Sequence, residues 1–296
     1  MKLKKVHKSA FITIIGKPNA GKSTFLNSLM GYRFCIVSPK AQTTRHRIKG
    51  FISTPEYQLV FSDTPGIIIP KYKMQEAMME SVKESLEDAD ILMLVLDEAD
   101  DDLGNEVTEI IKNFEGKKIL ILNKVDKLSE TNITEKTEKW KKSGLFYGVV
   151  PYSALMPFNQ NKMLEFLLEI SPEHPKYFPD DELSDRNLRF FVSEIIREKI
   201  LLNYEKEIPY SVEIVVDSFK EEENITKINA TIFVERQSQK IILIGKGGLA
   251  LKKAATEARK DIEKFIDKKV YLEVFVKIKK DWRNSEKELK RFGYKE

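Results

Sequence analysis

The sequence predicts an α/β protein: a P-loop domain whose mostly parallel sheet is covered by helices on both faces, followed by a smaller α+β domain. Three observations predict it. Apolar runs alternate with amphipathic helical stretches through the first half, a glycine-rich phosphate loop follows the first apolar run, and a proline-rich break precedes a second, differently ordered set of elements. A length of 296 residues suits about two domains. The expected boundaries are 1–172 for the first domain, 173–185 for a linker and 186–296 for the second.

In chain order, Phe11–Ile15 reads as a buried strand and Lys22–Met30 as the helix after it. Ile48–Ser53 and Tyr57–Ser62 read as strands joined by a turn at Thr54-Pro55. Gln75–Glu87, Leu103–Phe114, Ile133–Lys142 and Lys162–Ile170 carry helical spacing. They alternate with the apolar strands Ile91–Leu96, Lys118–Leu122 and Gly148–Tyr152, the pattern of a parallel sheet buried on both faces. SPEHPKYFPDD (171–181) holds three prolines and no helical period, and reads as a linker. Beyond it come a long helix (Asn187–Leu202), two strands (Tyr210–Phe219, Lys227–Arg236), a short apolar stretch (Lys240–Ile244), a GKGG loop, a helix (Leu249–Ile266) and a last strand (Val270–Ile278).

Composition is that of soluble globular domains, with 42% hydrophobic and 32% charged residues. A single cysteine, Cys35, excludes an internal disulfide, suits a reducing cytoplasm and is expected to be inert. No run of about 18 apolar residues is present to span a membrane. The basic-then-apolar start, residues 1–16, leads directly into the phosphate loop and so reads as a first strand rather than a signal peptide. His7, His46 and His174 are scattered without metal-ligand spacing. The net charge is +4, yet residues 186–296 hold 25 basic and 19 acidic residues, so the positive surplus lies in the second domain and favours a polyanion partner there.

Residues 16–23, GKPNAGKS, match the phosphate-loop pattern. Gly16 and Gly21 let the backbone of Lys17, Pro18, Asn19 and Ala20 wrap phosphates, Lys22 would meet β- and γ-phosphate oxygens, and the Ser23 hydroxyl would ligate Mg²⁺. Thr24 continues into the helix whose positive end faces the anion. Guanine is selected by Asn123-Lys124-Val125-Asp126 at a strand end: the Asp126 carboxylate accepts from the ring N–H and the 2-amino group, and adenine offers neither. Asn123 would brace the loop and the Lys124 stem would cover the base. Asp63-Thr64-Pro65-Gly66 follows another strand, with Asp63 expected to hold Mg²⁺ through water and the Gly66 N–H to meet the γ-phosphate only while it is present, a two-state switch. Ser153-Ala154-Leu155 follows VVPY as the loop touching the guanine carbonyl. Between Gly31 and Gly50 lies the expected first switch, where Thr44 is the first choice and Thr43 the second as Mg²⁺ ligand.

In the second domain Gly245-Lys246-Gly247-Gly248 fits the GxxG loop with which KH domains clamp single-stranded nucleotides. Lys246, Lys252 and Lys253 would meet phosphates, and Ile241, Ile244, Leu249 and Leu251 would line an apolar groove for bases. Lys277, Lys279, Lys280, Arg283 and Lys287 either extend this footprint or form a solvated face, and Trp282 reads as a packing anchor.

The order GKPNAGKS, QTTRHR, DTPG, NKVD, SAL and a C-terminal IGKGG closely resembles the Era family, bacterial GTPases of small-subunit ribosome assembly, over nearly the whole chain. The resemblance implies a Ras-like domain joined to a type II KH domain, and 16S rRNA near its 3′ end as the RNA partner. Ile67 stands where Ras carries its water-orienting glutamine, a replacement that Era-like proteins share, so slow intrinsic hydrolysis is expected. In related GTPases an asparagine at the place of Asn19 ligates K⁺, which makes weak K⁺ stimulation an expectation. The expected protein is a cytoplasmic monomer. Two other classes stand beside it: a peripheral membrane-associated signalling GTPase whose basic C-terminal part binds lipid at the inner face of the cell membrane, and a metabolic kinase or ATPase, against which NKVD argues.

Overall fold

The structure is a computed structural model and describes residues 7–156 and 160–295. The basic residues 1–6 of the first-strand reading lie outside the described residues. Contacts divide the chain into two compact units. One comprises Met1–Cys35, Thr44–Ile69 and Met78–Asp185; the other comprises Ile36–Thr43, Pro70–Ala77 and Arg186–Glu296. Two short segments that the sequence sets within 1–172 thus group with the C-terminal part.

The first unit is built on a six-stranded sheet in the order β2-β3-β1-β4-β5-β6. Its strands are β1 (Lys8–Ile15), β2 (Ile48–Ser53), β3 (Tyr57–Asp63), β4 (Ile91–Asp97), β5 (Lys117–Asn123) and β6 (Gly148–Pro151). Only the β2–β3 pair is antiparallel. The helices are α1 (Lys22–Met30), α2 (Lys73–Glu87), α3 (Asn105–Asn113), α4 (Glu130–Lys142) and α5 (Gln160–Ile170). Every residue of β4 from Ile91 to Leu96 is buried, as a strand covered on both faces requires. Val82 of α2, Val107 and Ile111 of α3 and Trp140 of α4 close one face over Leu92, Leu94 and Leu96. On the other face α1 packs with α5 and β3. The parallel order places the ends of β1, β3, β5 and β6, and therefore the loops after them, along one edge of the sheet.

The proline-rich segment is not a free tether. The Tyr177 and Phe178 N–H groups both donate to the buried Gln58 side chain at 2.8 and 2.9 Å, and the Phe178 ring stacks on Phe51 at 4.2 Å. Phe51 N–H donates to the Leu183 carbonyl at 3.0 Å. The segment up to Asp185 therefore clads β2 and β3 within the first unit.

In the second unit, α6 (Leu188–Asn203), α7 (Ile208–Ser211), β7 (Glu213–Glu221), β8 (Thr226–Val234), α8 (Gln237–Ile244), α9 (Leu249–Ile266), β9 (Val270–Ile278) and α10 (Glu286–Arg291) follow in turn. The sheet order is β7-β8-β9, with β7–β8 antiparallel and β8–β9 parallel. Val192 and Ile196 of α6 and Ala254, Ala258 and Ile262 of α9 bury one sheet face, represented by Ile228, Ala230 and Ile232. The stretch 237–244 is a complete two-turn helix, started by Gln239 Oε1, which accepts from the Glu235 and Arg236 N–H groups at 2.9 and 3.0 Å. The basic tail is folded too. Trp282 is fully buried and donates to the Ser211 carbonyl at 3.1 Å, and its ring packs against Phe292. Among the described residues no helix is long and apolar enough to cross a membrane.

Candidate functional site

The loop between β1 and α1 curls because Gly16, Asn19 and Gly21 all take positive φ. Lys22, buried in the curl, donates to the Gly16 and Lys17 carbonyls at 3.1 and 3.0 Å. Burial pushes its pKa down to about 8, a cost that an anionic phosphate would relieve. Lys17 reaches sideways to Asp100 at 2.7 Å, and that hydrogen bond raises its pKa. Ala20 is buried and its carbonyl accepts from Asn123 Nδ2 at 2.6 Å. Gly66 closes on this loop: a Cβ there would stand 2.7 Å from the Pro18 nitrogen, and the next residue, Ile67, donates its N–H to the Gly16 carbonyl at 3.1 Å. Ile67 itself packs against the α2–α4 core, which explains an apolar residue at that place. Thr64 is tied down by its hydroxyl to the Ile14 carbonyl at 2.6 Å, and Pro65 is buried. Thr24, half-buried in the first turn of α1, accepts from the Ser28 hydroxyl at 3.3 Å.

Three groups from different parts of the chain, the first turn of α1, the end of β3 and the loop before β2, meet at the start of α1. The Ser23 hydroxyl donates to Asp63 Oδ2 at 2.7 Å, Thr44 Oγ1 donates to the same oxygen at 3.2 Å, and the two hydroxyls are 2.9 Å apart. Asp63 is fully buried, burial raises its pKa, and its Oδ1 is buried without a hydrogen-bond partner. An orphaned buried carboxylate oxygen beside two hydroxyls is an all-oxygen donor set of the kind a hard divalent cation takes. Thr43 points elsewhere: its hydroxyl is within 2.7 Å of Ser38 Oγ and donates to the Lys40 carbonyl at 2.6 Å, closing a turn.

The base side is assembled from the ends of β5 and β6. Asn123 Oδ1 accepts from the Lys124 N–H at 2.7 Å, and Lys124, in a left-handed conformation, is fixed by an ion pair with Asp97. Asp126 accepts from the Ser153 hydroxyl, and Ser153 Oγ also accepts from the Leu155 N–H at 3.0 Å. Discrimination by an unpaired carboxylate needs Asp126 to be desolvated. It is exposed instead, as are Ala154 and Leu155, so its desolvation awaits the base and the discrimination arises on binding. Asn19 is also exposed, at the loop tip.

Two contributors escaped the sequence reading. Asp97 ends β4 in line with the motif-bearing strands, and that strand-end position was the available signal. Asn27, one turn beyond Ser23, accepts from the Phe34 and Cys35 N–H groups at 2.9 and 2.7 Å and pins the start of the segment leading to Thr44. An asparagine inside a helix, a poor helix former, was its signal.

In the second unit Gly245, Gly247 and Gly248 all have positive φ and join α8 to α9. Lys246, Lys252 and Lys253 are exposed around them. Ile241 and Leu249 are 61% and 68% exposed, joined by Ile242, a surface suited to unstacked bases. Ile244 and Leu251, expected in that groove, instead pack partly against the core of this unit, because the helical phase of α8 and α9 turns them inward. In the tail, Lys279 pairs with Glu288 at 2.8 Å and Arg283 pairs with Glu235, whereas Lys277, Lys280 and Lys287 are exposed.

A family model described as a 50S ribosome-binding GTPase matches residues 11–124, and one described as a KH domain matches residues 207–283. The chain is similar to a crystal structure of Era in complex with MgGDPNP and nucleotides 1506–1542 of 16S ribosomal RNA, at 36% identity and a TM-score of 0.90. That match covers 97% of this chain and 99% of the other. A crystal structure of a tyrosine-to-alanine variant of Aquifex aeolicus Era bound to GDP·AlF4⁻ matches with the same identity, coverage and TM-score.

Proposed function

This chain belongs to the Era family of GTPases, and from that premise we propose how its residues bind and hydrolyse GTP and how it engages 16S rRNA near the 3′ end to assist small-subunit assembly. The observation that carries the nucleotide reading is the meeting of Ser23, Thr44 and the orphaned oxygen of Asp63 beside Lys22. Ser23 and Thr44 would hold Mg²⁺ directly and Asp63 through water. When bound, the ion neutralises charge on the β- and γ-phosphates. The backbone from Gly16 to Thr24 wraps the phosphates, and Lys22 supplies a cation that needs no reorganisation because it is already buried there. The Gly66 N–H, held against Pro18, senses the γ-phosphate. Asp126, aimed by Ser153, accepts the guanine N–H groups, while Asn123 braces the loop, the Lys124 stem covers the base and the backbone of Ser153, Ala154 and Leu155 meets the guanine carbonyl. Ile67 cannot orient water, so the intrinsic rate is slow. Asn19 is the candidate K⁺ ligand, and equal turnover in K⁺ and Na⁺ would remove that role.

The GxxG loop with Lys246, Lys252, Lys253 and exposed Ile241 and Leu249 is the proposed RNA clamp. A relative similar over 97% of this chain was crystallised with a 16S rRNA segment, which favours small-subunit RNA over the large subunit named by the GTPase family model. A competition assay tests the nucleotide half. GTP and GDP should displace a fluorescent guanine nucleotide and ATP should not; displacement by ATP at similar concentration would sink it.

A further inference from the structure

α6 carries four buried charges: Glu194, Arg197 and Glu198 at 7%, 1% and 1% exposure, and Lys199, which pairs with Glu198 at 3.1 Å and with Asp261. Buried charges are costly unless each is paired and hydrogen-bonded, so what they bind is informative. Arg197 is held as a fork on Glu194, Nε donating to Oε1 at 2.7 Å and Nη2 to Oε2. Its remaining donors go to backbone: Nη1 to the Gln42 carbonyl at 3.4 Å and Nη2 to the Thr43 carbonyl. Two further contacts hold the same segment. The Val37 N–H donates to Glu198 Oε1 at 3.0 Å, and Lys40 Nζ donates to the Tyr204 carbonyl. Gln42 sits at φ 59°, a left-handed conformation that a non-glycine residue keeps only when its surroundings enforce it. Its Oε1 accepts from the Tyr72 hydroxyl at 3.2 Å. All these partners, Ile36–Thr43, Tyr72 and α6, fall in the second compact unit. The next residue in the chain is Thr44, whose hydroxyl meets Ser23 and Asp63.

We propose that Arg197 is a positioning residue for the GTP-bound state: by gripping the Gln42 and Thr43 carbonyls it sets the backbone from which Thr44 is presented to Ser23 and Asp63. The inference rests on the reading of Thr44 as a Mg²⁺ ligand, and on the expectation that this contact counts for more with GTP, whose γ-phosphate the ion also meets. α6 thereby becomes part of the switch without touching nucleotide. By linkage, any ligand that shifts α6 against this segment changes the preference for GTP over GDP, and GTP changes the affinity for that ligand by the same factor.

The test compares affinities of the full-length protein for a non-hydrolysable GTP analogue and for GDP, both with Mg²⁺, in wild type, Arg197→Lys and Thr44→Ala. A lysine keeps the charge opposite Glu194 but lacks the fork that reaches two carbonyls. Arg197→Lys should lower affinity for the analogue about tenfold, with GDP affinity near wild type and a lower melting temperature from the lost hydrogen bonds. A general folding defect would instead weaken both nucleotides together, and that result overturns the assignment, as does unchanged discrimination in Arg197→Lys. If Thr44→Ala loses discrimination and Arg197→Lys does not, the Arg197 inference fails alone. If Thr44→Ala keeps it, the underlying reading of Thr44 fails as well.

Discussion

Gly21 and Gly247 are both glycines of left-handed backbone, each beside a lysine at the entrance to a helix, yet their surroundings are opposite. A Cβ on Gly21 would stand 2.1 Å from Asn123 Nδ2, and one on Gly16 would stand 2.3 Å from the Val95 carbonyl oxygen. Around Gly247 and Gly248 nothing lies within 4 Å of the same atom. Lys22 is buried and Lys246 is exposed. The phosphate loop is therefore a piece of the domain core, its glycines consumed by packing against β4 and the base-reading loop. In the GKGG loop Gly245 closes on Ala250, but Gly247 and Gly248 stand clear of their own core, leaving those glycine faces to something that arrives from outside. Damage to the first should be felt by the fold and the nucleotide together, and damage to the second by the ligand alone.

The largest expected effect is from Gly21→Ala. Left-handed strain of ~1–2 kcal/mol adds to overpacking of ~1–3 kcal/mol against Asn123, which is itself held to the Ala20 carbonyl. GDP affinity should fall about a hundredfold with a lower melting temperature, since each ~1.4 kcal/mol is a factor of ten; an unaltered affinity in a fluorescence titration would break the contrast. Ser153→Ala comes next. It removes a hydrogen bond to a charged carboxylate, worth about 1.5–3 kcal/mol, and should cut the preference for GTP over ATP by about tenfold or more while leaving RNA binding intact.

A pH effect follows from the burial of Lys22. Its folded pKa, about 8, lies below the ordinary 10.5, so the unfolded chain binds more protons between these values. The nucleotide-free protein thus bears the full cost of the buried cation below pH 8 and gains stability as pH rises from 8 towards 10.5. Phosphate binding needs the cation, so GDP binding should take up a proton above pH 8, with affinity falling up to about tenfold between pH 7 and pH 9. Calorimetry in two buffers of different ionisation heat reads that proton directly. The smallest effect belongs to Gly247→Ala. With open space around it, only left-handed strain of about 1 kcal/mol is expected, visible as a small shift in melting temperature with nucleotide affinity unchanged.

The difference between the two regions also explains what the sequence revealed. The first sheet was legible because buried parallel strands are unbroken apolar runs, and each motif sits at a run's end. Direction within loops was less accessible. Thr43 and Thr44 are adjacent in sequence, and only the turn closed by Ser38, Lys40 and Thr43 sends one hydroxyl to Asp63 and the other away. The start of α8 was hidden because Gln237–Lys240 is polar, which shifted the perceived phase and put Ile244 on the wrong face. The prolines of 171–181 masked Tyr177 and Phe178, whose rings carry the packing. Arg197 was invisible for a plainer reason: charges on a long helix ordinarily face water, and nothing local to α6 signals that a loop distant in sequence covers them.

The most direct test of the account is binding of the full-length protein to a short RNA from the 3′ end of 16S rRNA, with GDP and with a non-hydrolysable GTP analogue. Gly247→Asp at matched salt is measured alongside. The account predicts nucleotide-dependent binding by wild type and at least tenfold weaker binding by the variant, the order expected from setting a carboxylate beside RNA phosphates, with GDP affinity unchanged in both proteins. Equal and weak RNA binding by wild type and variant in every nucleotide state would contradict it.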